Sequence, residues 1–199
     1  MIKNLIFDFG KVLVDYDFFH TIRRYFQSEE ELQEFGVLFT SIEFLNQCDK
    51  EEIPFLEIIR QAQREHPKFE FQLQKFYEEY TQFVTEEIPG MKTLLQKLRE
   101  EGFRLYGLTN WCSKVHEVMK EWDIFSLLDG EVISSDVKLI KPDVAIYHCL
   151  CDKYALNPAE CLFTDDKAIN VEGARLAGMQ GIVFQNAEQF QRDLRKLLS

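Results

Sequence analysis

Two acidic signatures lie far apart in this 199-residue chain. Ile6-Phe7-Asp8-Phe9-Gly10-Lys11-Val12 closes an apolar run with one carboxylate, and Leu162-Phe163-Thr164-Asp165-Asp166 closes another with two. Apolar runs of this length, ended by an acid and a turn, read as buried parallel strands. In open α/β sheets, ligands gather at the carboxyl ends of such strands. The two signatures therefore predict one acidic pocket. Asp8, Asp165 and Asp166 are its candidate ligands for Mg²⁺, a cation that takes carboxylate and other oxygen donors. Two further pieces suit the same pocket. Leu105-Tyr106-Gly107-Leu108-Thr109-Asn110 ends a strand in a hydroxyl and an amide, and Lys141-Pro142-Asp143 sets an ammonium just before a helix start.

Singly, each piece has a plainer use. An aspartate after a strand is more often a turn or helix-capping residue than a catalyst. Thr-Asn is ordinary turn chemistry, Lys-Pro precedes many helices, and Asp165-Asp166 could simply cap the helix that follows. Their joint placement at strand ends and a helix start is what points to chemistry.

The elements that must position these residues divide the chain in three. Residues 2–7 form the first strand. From Asp17 to about Val84 only helical periodicity appears, rich in phenylalanine. Phe55, Ile58, Ile59 and Ala62 recur at helical spacing, as do Phe69, Leu73, Phe76, Tyr77 and Tyr80. Ser28 and Glu31 match a capping box, and His66-Pro67 separates two helices. After Pro89-Gly90 the pattern alternates. Helix 91–101, stopped by Gly102, leads to strand 103–108, helix 113–122 and a short strand near 131–133. Helix 143–154, strand 161–164, helix 168–177, strand 181–184 and helix 187–198 follow. Gly173 is expected to allow close helix–sheet packing and Gly178 to stop its helix. The alternation predicts an α/β fold with a doubly wound, Rossmann-like parallel sheet. Residues 1–15 and 86–199 form its core, and 16–85 an all-helical insert after the first strand.

Composition narrows the partners. The 46% hydrophobic and 29% charged content is that of a globular protein. A net charge of −11 argues against a nucleic-acid surface and against attraction to anionic membranes. A phosphate-bearing ligand must then be welcomed locally, against the long-range field. Five cysteines, at 48, 112, 149, 151 and 161, contain no Cys-x-x-Cys pair and leave one odd. They read as structural thiols of a reducing, cytoplasmic compartment. His20, His66, His116 and His148 lack metal-ligand spacing. No apolar run approaches the ~20 residues of a bilayer span. Met1-Ile2-Lys3-Asn4 is expected to enter a strand directly, without a signal-peptide pattern.

The order Asp8, Thr109-Asn110, Lys141-Pro142, Asp165-Asp166 covers nearly the whole chain. It resembles the four motifs of the haloacid dehalogenase-like (HAD) hydrolase superfamily. The resemblance implies that the insert is a helical cap closing over the site. It also implies a Mg²⁺-dependent phosphatase acting on a small phosphorylated metabolite. Asp8 is then the nucleophile that forms an aspartyl-phosphate, and the metal is held by Asp8, the Gly10 carbonyl and Asp166, with Asp165 binding directly or through water. Thr109, the Asn110 amide and Lys141 hold the phosphate, and Lys141 keeps the carboxylates ionised.

One position departs from that pattern. Superfamily phosphatases usually carry a second aspartate two residues after the nucleophile, acting as general acid and base, and here the residue is Gly10. The stretch Asp8-Phe9-Gly10-Lys11-Val12-Leu13-Val14-Asp15 resembles a branch that includes bacterial glucose-1-phosphate phosphatases, which share the glycine. A sugar phosphate is therefore the expected substrate. The glycine also implies a bias toward good leaving groups, unless a residue of the insert, Asp15 or a water supplies the proton. Gly10→Asp would restore poor leaving groups if the added carboxylate fits the loop. Two alternatives stand beside this reading. One is a metal-independent 2-haloacid dehalogenase, which also lacks the second aspartate but does not pair two metal-binding acids in the last motif. The other is a catalytically weakened binding or regulatory module that keeps the fold and the metal.

Overall fold

The computed structural model describes residues 1–198. Its strands are β1 (Asn4–Phe7), β2 (Val14–Tyr16), β3 (Val84–Glu87), β4 (Arg104–Thr109), β5 (Gly130–Ile133), β6 (Cys161–Asp165) and β7 (Gln180–Val183). The helices are α1 (Phe18–Ile22), α2 (Glu29–Phe39), α3 (Ile42–Lys50), α4 (Phe55–Glu65), α5 (Glu70–Glu78) and α6 (Met91–Glu100). They continue with α7 (Val115–Glu121), α8 (Ser134–Val137), α9 (Val144–Tyr154), α10 (Ala168–Leu176) and α11 (Ala187–Leu198). Five strands form one parallel sheet in the order β5-β4-β1-β6-β7. This is the expected doubly wound α/β architecture.

Side-chain alternation explains why the sheet is covered on both faces. In β1, Leu5 and Phe7 pack into one hydrophobic cluster with residues of α6, α7 and α11. Ile6, between them, packs into a second cluster with residues of α9 and α10. A one-residue slip would exchange the two sets. Each fully buried Leu or Phe favours the native register by about 1.5–3 kcal/mol. The chain runs from β1 out to β4 and β5, then crosses back to β6 on the other side of β1. The switch point lies at the carboxyl end of β1, where such folds leave a crevice.

The helical insert spans the segment between β2 and β3, which pair antiparallel as a short ribbon with a bulge at Asp15/Tyr16. Strands of three and four residues carry too little alternation to be read from sequence, so this ribbon went unforeseen. So did α8, a single turn after β5. The insert has no core of its own. Its rings, among them Phe35, Phe39, Phe69 and Phe76, belong to the same cluster as Leu5 and Phe7. The Ser28 hydroxyl accepts from the Glu31 amide at 3.2 Å as the capping box predicts, while the Glu31 carboxylate accepts from Gln27 rather than Ser28.

Candidate active site

The three central strands deliver the motif residues to one edge. Asp8 follows β1, Thr109 ends β4 and Asp165 ends β6. Lys141 comes from the loop before α9, whose start is capped by the Asp143 carboxylate accepting from the Ala145 amide. The Asn110 side chain fixes that loop from both sides: its Oδ1 accepts from the Lys141 amide at 2.7 Å and its Nδ2 donates to the Lys141 carbonyl at 3.0 Å. Gly173 lets α10 lie against the same loop, since a Cβ there would sit 2.5 Å from the Pro142 carbonyl oxygen.

Lys141 is the hub. Its buried ammonium reaches Asp8 Oδ1 at 2.9 Å, Asp165 Oδ2 at 2.7 Å and the Leu108 carbonyl at 2.9 Å. Those three acceptors match its three N–H donors. Burial pulls its pKa down, but Asp8 and Asp165 outweigh burial and leave it raised. Asp165 is wholly buried and also accepts from the Lys167 amide at 2.8 Å and from Asn170 Nδ2 at 3.1 and 3.0 Å. Burial would push its carboxyl up. Lys141 and the other donors more than offset this and hold it low.

Asp8 and Asp166 differ from Asp165. Burial pushes the Asp8 carboxyl up to about 7, opposed by Lys141 and reinforced by Asp165. Asp166 is also raised, by burial and then by Asp165. Carboxylate oxygens of Asp8, Asp165 and Asp166 lie within 4.8 Å of one another, and among the described residues this is the one cluster of metal-suited side chains. The Gly10 carbonyl, on the same cavity wall, accepts no hydrogen bond within the protein. Three crowded carboxylates and a free carbonyl form a donor set that fits Mg²⁺. The Thr109 hydroxyl also lines the cavity and makes no hydrogen bond within the protein.

The cavity measures about 280 Å³. Its floor holds the residues above, and its roof comes from the insert and the ribbon: Tyr16, Phe18, Phe44, Phe55, Phe76 and Tyr80, with Trp111 alongside. Tyr16 packs against Gly10. A Cβ at Gly10 would meet the Tyr16 ring at 2.7 Å, and that ring lies against Phe18 and Trp111. Gly10→Asp would therefore require the Tyr16 ring to move aside. Asp15 is no substitute either. It faces away from the cavity, paired with Lys11, whose hydrogen bond holds its carboxyl below the usual range.

Sequence reasoning missed several residues here. Asn170 sits in the first turn of α10, five residues past Asp165, where helix geometry turns its amide back to the sheet edge. Asp49 of α3 lines the cavity but hides in the charged run Asp49-Lys50-Glu51-Glu52, which reads as a solvated face. Glu51, in the same run, is buried and accepts from the Ser113 amide and hydroxyl at 2.7 and 2.9 Å. A buried Cys48 just before these acids was the one available sign that the run turns inward.

The chain was compared with known proteins. It is 30% identical over 118 residues to flavin mononucleotide hydrolase 1 of Arabidopsis thaliana, which covers 55% of this chain and 45% of that protein. It is 28% identical over 95 residues to (S)-2-haloacid dehalogenase 4A of Burkholderia cepacia, covering 47% and 41%. The chain spans about half the length of the curated relatives it matches. Among solved structures, a HAD-like family hydrolase of Porphyromonas gingivalis superposes with a TM-score of 0.79 at 23% identity, over 100% of this chain and 98% of the other. A HAD family enzyme of Bacteroides thetaiotaomicron, solved with magnesium and inorganic phosphate, gives 0.73 at 22% identity, over 94% and 96%. Both likenesses concern the fold. The family pattern for haloacid dehalogenase-like hydrolases matches residues 5–184, so the chain belongs to that family.

Proposed function

We propose that this protein is a Mg²⁺-dependent phosphatase that hydrolyses a small phosphomonoester through an aspartyl-phosphate on Asp8. The observation that carries the reading is the Lys141 hub, which binds one Asp8 oxygen and leaves the carboxylate facing a cavity it shares with Asp166 and Thr109. In-line phosphoryl transfer asks for positioning and for positive charge around the equatorial oxygens. Mg²⁺ held by Asp8, the Gly10 carbonyl and Asp166 would supply that charge and offset repulsion between carboxylate and phosphate. Asp165, engaged by Lys141, Lys167 and Asn170, orients Lys141 and closes the acidic side of the site. The Thr109 hydroxyl and the Asn110 amide hydrogen-bond the phosphate oxygens. Lys141 keeps Asp8 aligned and lends its charge to the transferring group. The insert acts as a cap whose movement admits substrate.

The cap side of the cavity is mostly aromatic and aliphatic, and its few polar groups include Asn46 and Asp49. A polyol such as a hexose would leave many hydroxyls unpaired against that wall. The cavity therefore favours phosphomonoesters whose organic part is aromatic or apolar over the sugar phosphate expected from the first motif. The dehalogenase reading draws support from the Burkholderia relative and from Gly10. Against it stands the pairing of Asp165 with Asp166.

A panel of aryl, alkyl, isoprenoid, sugar and nucleotide monophosphates, assayed with Mg²⁺, tests both points. Phosphate release is expected to vanish with EDTA and to fall about 10⁴-fold or more in Asp8→Asn and steeply in Asp166→Asn. Hydrolysis that survives EDTA overturns the metal assignment. Metal-free release of halide from 2-haloacids in place of phosphate establishes the dehalogenase.

A further inference from the structure

We infer that Asp49, a residue of the insert, is the general acid and base of this site and replaces the aspartate that Gly10 lacks. The inference rests on the phosphatase reading. Two geometric facts carry it. First, position 10 carries no acid, and a side chain there would have to displace the Tyr16 ring, which lies 2.7 Å from where its Cβ would stand. Second, the Asp49 carboxylate faces the cavity opposite Asp8, accepts no hydrogen bond and joins no ion pair. A partly buried carboxylate without donors is costly for folding alone, and such groups concentrate where chemistry needs them.

Asp49 is also held in place. Its carbonyl accepts from the Ser134 hydroxyl at 2.6 Å. Two residues on, the Glu51 carboxylate takes the Ser113 amide and hydroxyl, and the Glu51 carbonyl takes Lys138. The end of α3 is thus bound to the catalytic half of the molecule, so the carboxylate does not drift with the rest of the insert. Burial pushes its pKa up to about 7, tempered by Lys167 and Lys141 and strengthened by Asp8. The group therefore carries its proton through part of the neutral range. Tyr16 and Tyr80, its hydroxylic neighbours, are both pushed above the ordinary tyrosine range and stay neutral.

The proton bookkeeping closes. As an Asp8 oxygen bonds to phosphorus, the bond from phosphorus to the leaving oxygen breaks and its electron pair stays on that oxygen. The Asp49 carboxyl gives its proton there, releasing a neutral alcohol. The Asp49 carboxylate then takes a proton from water as the water oxygen attacks the aspartyl-phosphate. Phosphate departs, and Asp8 and protonated Asp49 are regenerated.

The test is a leaving-group series of Mg²⁺-loaded enzyme with phosphomonoesters running from nitrophenol to primary alcohols. It compares wild type with Asp49→Asn and Asp49→Ala. General acid catalysis is worth ~10²- to 10⁴-fold. In the first turnover, read as release of the leaving alcohol before the common aspartyl-phosphate is hydrolysed, Asp49→Asn should lose about that much rate on alkyl esters, yet less than about tenfold on the nitrophenyl ester, which expels its oxygen unaided. Steady-state hydrolysis, which also needs the base, should slow on every ester. A retained first-turnover burst of nitrophenol in either variant shows that the site has folded. A first-turnover loss of equal size across the series, or none, overturns the role of Asp49 while leaving the phosphatase reading intact. Failure of wild type on every ester overturns both.

Discussion

Two aspartates sense the same buried lysine and live in opposite circumstances. Asp165, at the end of β6, accepts from Lys141, from the Lys167 amide and twice from Asn170. The Asp49 carboxylate, at the end of α3, accepts from no donor among the described residues. The first is held below the usual carboxylate range and the second is pushed up to about 7. Burial opposes ionisation in both, so the direct charge contact with Lys141, and after it the hydrogen-bond donors, make the difference. A carboxylate whose lone pairs are met by donors positions others and holds a proton poorly. A carboxylate with its lone pairs open is a cost to folding and a resource for chemistry.

The largest way to break this contrast is to remove the lysine. Lys141→Met keeps the length of the side chain but leaves Asp8 and Asp165 facing each other without a cation. Removing one partner of a buried charge pair costs about 3–5 kcal/mol. Denaturant unfolding in EDTA should register that loss, and added Mg²⁺ should recover part of it through Asp8 and Asp166. A variant as stable as wild type in EDTA would mean that the two acids are already neutral in the folded state.

A smaller effect separates the aspartates directly. Asp165→Asn breaks the pair with Lys141 and sets an amide among donors that need an acceptor, at a cost of about 1–3 kcal/mol. Asp49→Asn removes a buried carboxylate that accepts no hydrogen bond among the described residues, so it should leave stability unchanged or raise it slightly. Urea midpoints of the two variants, measured together, check the ordering. If Asp49→Asn is the more damaging, Asp49 has a structural partner and the contrast fails.

The same contrast marks what was legible beforehand. Lys141 stands in the loop before α9, and its sign was Lys-Pro ahead of a helix start. Asp8, Thr109 and Asp165-Asp166 could be placed because the sheet fixes where they stand: the end of a buried strand is written in its apolar run, and parallel strands bring their ends together. The alternation of strands and helices was legible for the same reason. Asp49 was not, because its place depends on how the insert folds back over the sheet, which local periodicity does not encode. Tyr16 was hidden in the same way. The ribbon that carries it is too short to announce itself, yet its ring lies where a side chain at position 10 would stand. Asn110 was expected to offer its backbone amide. Its side chain proved to serve as the clamp on Lys141.

The smallest effect is a slope, and its sign follows from Asp49 alone. The folded-state pKa, about 7, lies above the ordinary 3.8. Between those values the folded protein keeps a proton that the unfolded chain has released, so stability falls as pH rises. Asp49's contribution is complete below about 3.8 and is lost as pH climbs through about 7. The groups facing it are Asp8, Lys141 and Lys167, with Tyr16, Tyr80 and Cys112. Lys141 stays charged across that window, and the tyrosines and the thiol stay neutral. Asp8 titrates alongside Asp49, so the informative quantity is a difference between proteins. In EDTA, the Tm of wild type should fall between about pH 5 and pH 8. The fall should be shallower in Asp49→Asn, which has no proton to lose, and the two curves should diverge most above neutrality. Parallel curves would mean that the Asp49 carboxyl is ionised throughout, as an exposed aspartate is, and that its isolation in the cavity wall has no energetic consequence.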